Sequence, residues 1–422
     1  MPASHEPVGD REGGQPGGSG GGRMPGAMRQ GQIVLFVLAV FLLWFAQYVF
    51  IPSLPRYLAG KVAALSLVGV VLSMYGLWQV VVRLPIGLAV DSLGREKLLI
   101  LSGYLLGAAG PLALAFASRP AGLAVGRSLT GLAMGIWVPL VVVFSRSFAP
   151  KEAVRASSLL TLVTAAARIS ATALNGYLNR WGGYTLAFVV AACGTALGAL
   201  LLLPVPMAGH RSERIRLGPL LGLLARREVM MPSVLGALNQ FVVFGATLGF
   251  MPLLAARLGA DDVTIGLMAA TNLVVFLFGT LISAVLSSRV RPRLLLFGTY
   301  LLFAGGAAAA AVSGSVGFLF VIQGSIGLAH GIGYPTLMGL SIRDVAREYR
   351  TTAMGIHQSV YAAGIFLGPW ISGMLAQAHG LRVMFGVNAQ LCLLLGAAGS
   401  LFMGRASLGS LKGRIPGGDP AP

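Results

Sequence analysis

Arg127-Ser-Leu-Thr-Gly-Leu-Ala-Met-Gly-Ile-Trp-Val-Pro139 recurs in the second half of the chain as Gln323-Gly-Ser-Ile-Gly-Leu-Ala-His-Gly-Ile-Gly-Tyr-Pro335, with Gly-Leu-Ala-x-Gly-Ile-x-x-Pro unchanged. At the same offset Ser92, Arg95 and Lys97 meet Ser288, Arg291 and Arg293, so the echo extends well beyond one apolar segment. The chain therefore reads as two copies of one unit, and that unit is apolar. Of 422 residues, 56% are hydrophobic and 10% charged, with mean hydropathy +0.80, more than a water-soluble core requires. A hydrocarbon layer of about 30 Å takes roughly 20 apolar residues as a helix. Twelve stretches qualify: 33–54, 65–90, 98–117, 121–144, 156–178 and 184–205, then 229–254, 263–286, 294–312, 316–342, 352–376 and 383–403. The expected fold is an all-α integral membrane protein with twelve transmembrane helices in two pseudo-symmetric six-helix bundles.

The domain organisation follows from composition. Residues 1–28 and 405–422 read as Gly/Pro-rich disordered cytoplasmic tails, 29–206 and 229–404 as the two bundles, and 207–228 as a cytoplasmic linker. Within the linker, Leu217 to Leu224 fits a short amphipathic helix at the membrane surface. The net charge of +18 would suggest nucleic acid in a soluble protein, but here Lys and Arg concentrate on alternate loops. That is the positive-inside bias, which places both termini in the cytoplasm and leaves no basic domain for nucleic acid. Cys193 and Cys392 fall inside apolar spans at no metal-ligand spacing, so free thiols and no metal are expected. No nucleotide loop or catalytic triad is legible, so the chain reads as no enzyme and needs no cofactor.

At the junction of spans two and three stands Gly87-Leu-Ala-Val-Asp91-Ser-Leu-Gly94-Arg95-Glu-Lys97. This run resembles the loop signature of the major facilitator superfamily, and Arg127-x-x-x-Gly131 resembles that superfamily's fourth-helix motif. The similarity extends to the twelve-helix drug and metabolite efflux branch, whose members resemble drug:proton antiporters. The resemblance implies a conformational latch made by Gly87, Asp91, Gly94 and Arg95, holding the two halves together. It also implies that spans one, four, seven and ten surround the cavity. Glu96 departs from the pattern, standing where a second basic residue is usual.

All thirteen acidic residues fall outside the expected spans, whereas Arg83, Arg127 and Arg168 fall inside. A charged side chain at mid-membrane costs about 2.5–3.5 kcal/mol even on the lenient insertion scale, and such residues face a cavity or a partner. Arg168, amid small residues in span five, is the foremost substrate-binding candidate. With it stand Arg127, Gln47, Gln79, Asn175, Asn239, Gln240, Gln323, Tyr334 and Gln358, and Asn272 adds a further amide. Trp78 and Trp137 offer rings. His330 and His357 are the only histidines within the expected spans and, with Arg127, are the candidates for ion coupling. His330 stands where the first repeat has Met134.

These readings converge on a secondary active transporter working by alternating access. Its expected role is proton-coupled efflux of an anionic or zwitterionic metabolite, metallophore or drug, by antiport across a bacterial inner membrane and as a monomer. Its partners are then a small-molecule substrate, the lipid bilayer and a proton or other ion gradient. Two other readings fit the same sequence: a broad-specificity exporter of lipophilic drugs, and a non-transporting receptor or scaffold of transporter ancestry.

Overall fold

The computed structural model describes residues 28–93, 95–148, 152–207, 222–346 and 349–402, with side chains left aside over 84–93, 153–157 and 351. Ten continuous helical segments among these residues are long and apolar enough to cross a membrane, and two of them, of 45 and 51 residues, are double length. Gly182 and Gly183 interrupt Ala153–Leu202 with non-helical backbone, Gly183 at φ 66°, and Gly380 interrupts Arg350–Leu391 at φ 84°. Only glycine adopts such angles cheaply, so each marks the turn between two spans. Twelve spans result among the described residues.

The spans follow chain order. Span one is Gln30–Tyr48, followed by a short helix Leu54–Lys61. Spans two to four are Leu65–Leu93, Glu96–Phe116 and Pro120–Arg146, and the halves of Ala153–Leu202 are spans five and six. Spans seven to ten are Arg227–Arg257, Asp262–Leu286, Pro292–Val312 and Val316–Arg343; eleven and twelve divide Arg350–Phe402. We call the membrane face where span one begins the tail face, and the opposite one the far face.

Side-chain packing repeats between the halves as the sequence does. Tyr104 of span three and Tyr300 of span nine are both fully buried. A Cβ on Gly198 of span six would lie 2.6 Å from the Tyr104 ring, and one on Gly396 of span twelve 2.2 Å from the Tyr300 ring. Each glycine is the socket for its half's tyrosine. Likewise Gly131 of span four abuts the Tyr75 carbonyl of span two, and Gly327 of span ten abuts the Asn272 carbonyl of span eight. Without a hydrophobic force between helices in lipid, such close backbone approach is what packs them.

The two halves meet through the same device, used twice. Span two lies on span eleven, where a Cβ on Gly69 would fall 2.4 Å from the Pro369 carbonyl and one on Gly76 2.3 Å from the Phe366 nitrogen. Span five lies on span eight, where one on Gly176 would fall 2.2 Å from the Val263 Cα. At this far-face end Asp262 accepts from Arg56 Nη1 at 2.8 Å and from Asn179 Nδ2 at 3.0 Å, the sole ion pair between halves among the described residues. Its neighbour Asp261 caps span eight by accepting from the Thr264 amide at 2.9 Å, and these Thr264 bonds hold its carboxyl below the usual range.

Glu96, the departure from the loop signature, starts span three, is 1% exposed and accepts from Arg146 Nη1 at 2.9 Å. The basic partner that neutralises it lies at the end of span four. Gly94, both tails and residues 208–221, with most of the expected amphipathic helix, lie outside the described residues. The side chain of Asp91 does too, while Gly87 falls within span two and Arg95 is exposed at the start of span three. Leu223, near the end of the linker, packs on Val229, Val345, Ala353 and Ile356.

The sockets give opposite signs for one substitution. Gly396→Ala should lower the melting temperature of the detergent-purified protein, because the Tyr300 ring is pinned by its hydroxyl donating to the Leu235 carbonyl at 2.5 Å. Gly386→Ala, with nothing within 4 Å of its added Cβ, should hold or raise it. Equal effects at both sites would contradict this packing.

Candidate functional site

Three guanidinium groups, all from the first half, lie deep in the protein. Arg83 of span two reaches across to span eleven. Its Nη1 donates to Gln358 Oε1 at 3.2 Å and to the Tyr361 hydroxyl, and its Nη2 donates to Gln79 Oε1. Its charge also lies 4.9 Å from the Tyr361 ring centre. Arg83 is thus a tie between halves, made entirely with uncharged partners.

Arg127 of span four lies 4.3 Å from the Tyr75 ring centre, and Gly131, one turn on, is what lets span four come close enough. Among the described residues its one bond is a long one, 3.4 Å to Thr130 Oγ1, and Nε has no partner. It borders an apolar cleft between the halves, lined by Ile51, Leu72, Phe244 and Pro369.

Arg168 of span five has no hydrogen-bond acceptor among the described residues, and its buried Nε is unpartnered. Rings surround it instead: Tyr48 at 4.6 Å, Trp44 at 5.6 Å and, from span eight of the other half, Phe276 at 5.6 Å. A cation over aromatic faces gains about 0.5–2 kcal/mol each, which offsets desolvation while leaving its N–H edge unused. An edge of planar N–H donors with no acceptor suits a carboxylate or other oxyanion.

From Phe276 a ladder of rings runs through the second half. Phe276 to His330 is 4.6 Å between centroids, His330 to Tyr334 5.9 Å, Tyr334 to Tyr361 6.1 Å and Tyr361 to His357 5.8 Å. The ladder ends on a defined hydrogen bond. Ser233 Oγ donates its hydrogen to the Val229 carbonyl at 2.6 Å, so it accepts from His357 Nδ1–H at 3.2 Å. That leaves His357 Nε2 as the basic position. His330 has no hydrogen bond among the described residues and is 7% exposed.

The remaining candidates divide. Asn175 donates to the Val49 carbonyl at 2.7 Å and Ser53 Oγ at 2.9 Å, bracing the chain after span one. Asn272 donates to both the Gln323 carbonyl and Oε1, at 2.9 and 3.0 Å, locking span eight to span ten. Gln79 and Gln358 are held by Arg83. Gln47, Asn239 and Gln240 are buried and keep unpartnered side-chain oxygens. The latter two are separated by Phe241 from a π-helical stretch, Val242–Phe250, in which Phe244 stacks on Tyr75 at 5.9 Å. Trp137 packs edge-on against Trp44 at 5.1 Å. Tyr48, Tyr75, Phe276 and Tyr361 carry no sequence signal that separates them from lipid-facing rings in apolar helices.

Twelve spans in two repeats around a buried cluster of cations, rings and amides define a membrane carrier of small solutes, not an enzyme. Sequence comparison agrees: the model of the Major Facilitator Superfamily matches residues 36–261 and 233–414, and the chain belongs to that family. A relative, the MFS-type transporter YceJ of Bacillus subtilis (strain 168), is 25% identical over 362 residues, 82% of this chain and 90% of its own. Among solved structures, a bacterial homolog of the human lysosomal transporter Spinster, inward-facing and occupied, is similar with TM-score 0.76 and 17% identity, covering 89% of this chain and 97% of its own. The nucleoside transporter NupG is similar with TM-score 0.74 and 15% identity, covering 89% and 100%. These structures show the fold.

Arg83 supplies a local test. Arg83→Leu strands Gln79 Oε1, Gln358 Oε1 and the Tyr361 hydroxyl and should cost about 1–3 kcal/mol. A lowered melting temperature with partial rescue by Arg83→Lys is expected; an unchanged one would show that the tie between halves carries no load.

Proposed function

We propose that the chain moves a small organic anion by alternating access, with Arg168 holding the anion's charge. The observation that carries this reading is a permanent cation between the two halves, ringed by aromatic faces and lacking any acceptor among the described residues. An anion is favoured over a zwitterion because no carboxylate stands in the cluster of described residues to take an ammonium group. Glu96 and Asp262 are each held by an arginine near the membrane faces.

Transport is read as outward, from the resemblance of the Gly87–Arg95 and Arg127–Gly131 runs to efflux proteins. The charge bias places the tail face and both termini in the cytoplasm of a bacterium, with the protein acting as a monomer in its inner membrane. Exchange against protons is assigned to His357. A proton at its Nε2 adds a cation one helical turn from Tyr361, which already receives the Arg83 guanidinium. Like charges on either side of that hydroxyl weaken the tie between halves, which gives the proton a means of changing conformation.

Ligand-induced thermal stabilisation of the purified full-length protein tests the site, using benzoate, hexanoate and the lipophilic cation tetraphenylphosphonium. Anions should raise the melting temperature, and Arg168→Gln should weaken their apparent affinity by about tenfold or more. Stabilisation by tetraphenylphosphonium that survives the substitution, with none by anions, would replace this reading with broad export of lipophilic drugs. In proteoliposomes, His357→Asn keeps the donor to Ser233 but cannot titrate. It should abolish accumulation driven by a pH gradient and spare exchange of labelled for unlabelled anion; retained gradient-driven transport would overturn the role of His357.

A further inference from the structure

The two halves contribute different chemistry to the cluster. All three cations, Arg83, Arg127 and Arg168, come from the first half, whereas the second half presents the ring ladder Phe276, His330, Tyr334 and Tyr361. The two chemistries touch at both ends of the ladder, where Phe276 meets Arg168 and Tyr361 meets Arg83, and of these two guanidinium groups Arg168 is the one without an acceptor among the described residues. We propose that the substrate is a planar aromatic anion whose charge is read by the first half and whose ring is read by the second. This inference rests on the anion reading given above and narrows it to a chemical class.

Three observations support the narrowing. Five of the eight intramembrane amides that could recognise a polyhydroxylated or nucleoside-like solute are committed to the protein, Asn175 to Val49 and Ser53, Asn272 and Gln323 to each other, Gln79 and Gln358 to Arg83, which leaves Gln47, Asn239 and Gln240 with unpartnered oxygens. The Arg168 guanidinium carbon lies 5.6 Å from the Phe276 ring centre at the end of the ladder, so a carboxylate held by that guanidinium can set its own ring beside Phe276 and His330. Phe276 is also an inter-half contact, and rocking the halves apart must separate it from Arg168. A ligand that joins oxyanion to arene spans the point of separation and draws the halves together, whereas an aliphatic anion engages one side only.

Matched acids test the class. Benzoate and cyclohexanecarboxylate share charge and approximate size but differ in aromaticity, and each can be titrated against the full-length protein by thermal stabilisation and by competition in proteoliposome exchange. Benzoate should bind more tightly by about threefold to tenfold, the range expected for a gained aromatic contact. Phe276→Leu should bring that ratio close to one; a preserved ratio would remove Phe276 from the ring-reading role and overturn the proposal. Should that variant fail to fold, the wild-type ratio decides alone. Equal affinities would overturn the aromatic class and leave the anion reading standing. Binding of neutral benzamide with no binding of either acid would bring down the anion reading itself, and the present inference with it.

Discussion

A guanidinium cannot shed its proton at any physiological pH, so Arg168 is a fixed charge in the interior of a membrane protein. Everything around it answers that constraint. Small residues of span five give it room, Tyr48 and Trp44 of span one face it with π density, and Phe276 of span eight closes over it from the other half. Rings mitigate desolvation without occupying the N–H groups. A carboxylate would neutralise the charge permanently and remove the proposed anion site. Arg83 and Arg127 are managed similarly, by a hydroxyl, amides and ring faces, so the first half keeps its positive potential.

Holding such a cluster in register requires helices that approach closely and still part. Glycine on span two against span eleven, and on span five against span eight, gives backbone contact with few interlocking side chains. Surfaces of that kind separate without unpicking a core. What fixes the closed arrangement is polar and local: Asp262 with Arg56 and Asn179 at the far face, and Arg83 with Gln358 and Tyr361 nearer the tail face. Both ties join the halves, and alternating access needs each to break in turn. The glycine sockets for Tyr104 and Tyr300 do the opposite, keeping each half rigid while the interface moves.

Hydropathy made the twelve spans legible because a bilayer imposes length on helices, and the Gly-Leu-Ala-x-Gly-Ile repeat made the two-fold design legible because Gly131 and Gly327 serve the same close approach. Partners were another matter. Arg83 finds Gln358 and Tyr361 across the whole of the intervening chain, and no periodicity signals a contact 275 residues away. Rings within an apolar helix look alike in sequence whether they face lipid or a cation, so Tyr48 and Phe276 gave no sign. Asp262 and Glu96 read as loop carboxylates because each lies at a helix start; burial and an arginine partner come only with folding. Asn175, Asn272 and Gln323 fall in apolar spans and bond to neighbouring segments, but an amide that binds substrate and one that binds a neighbouring helix look the same in sequence.

The account stands on an anion seated at Arg168 between the halves. A crystal structure of the full-length protein with 4-bromobenzoate, phased for anomalous bromine signal, addresses that directly. The account predicts carboxylate density on the N–H edge of Arg168 and a bromine peak among Phe276, His330 and Tyr334. A bromine peak elsewhere in the cavity, with Arg168 still enclosed by Tyr48, Trp44 and Phe276 and bound to nothing, would contradict it.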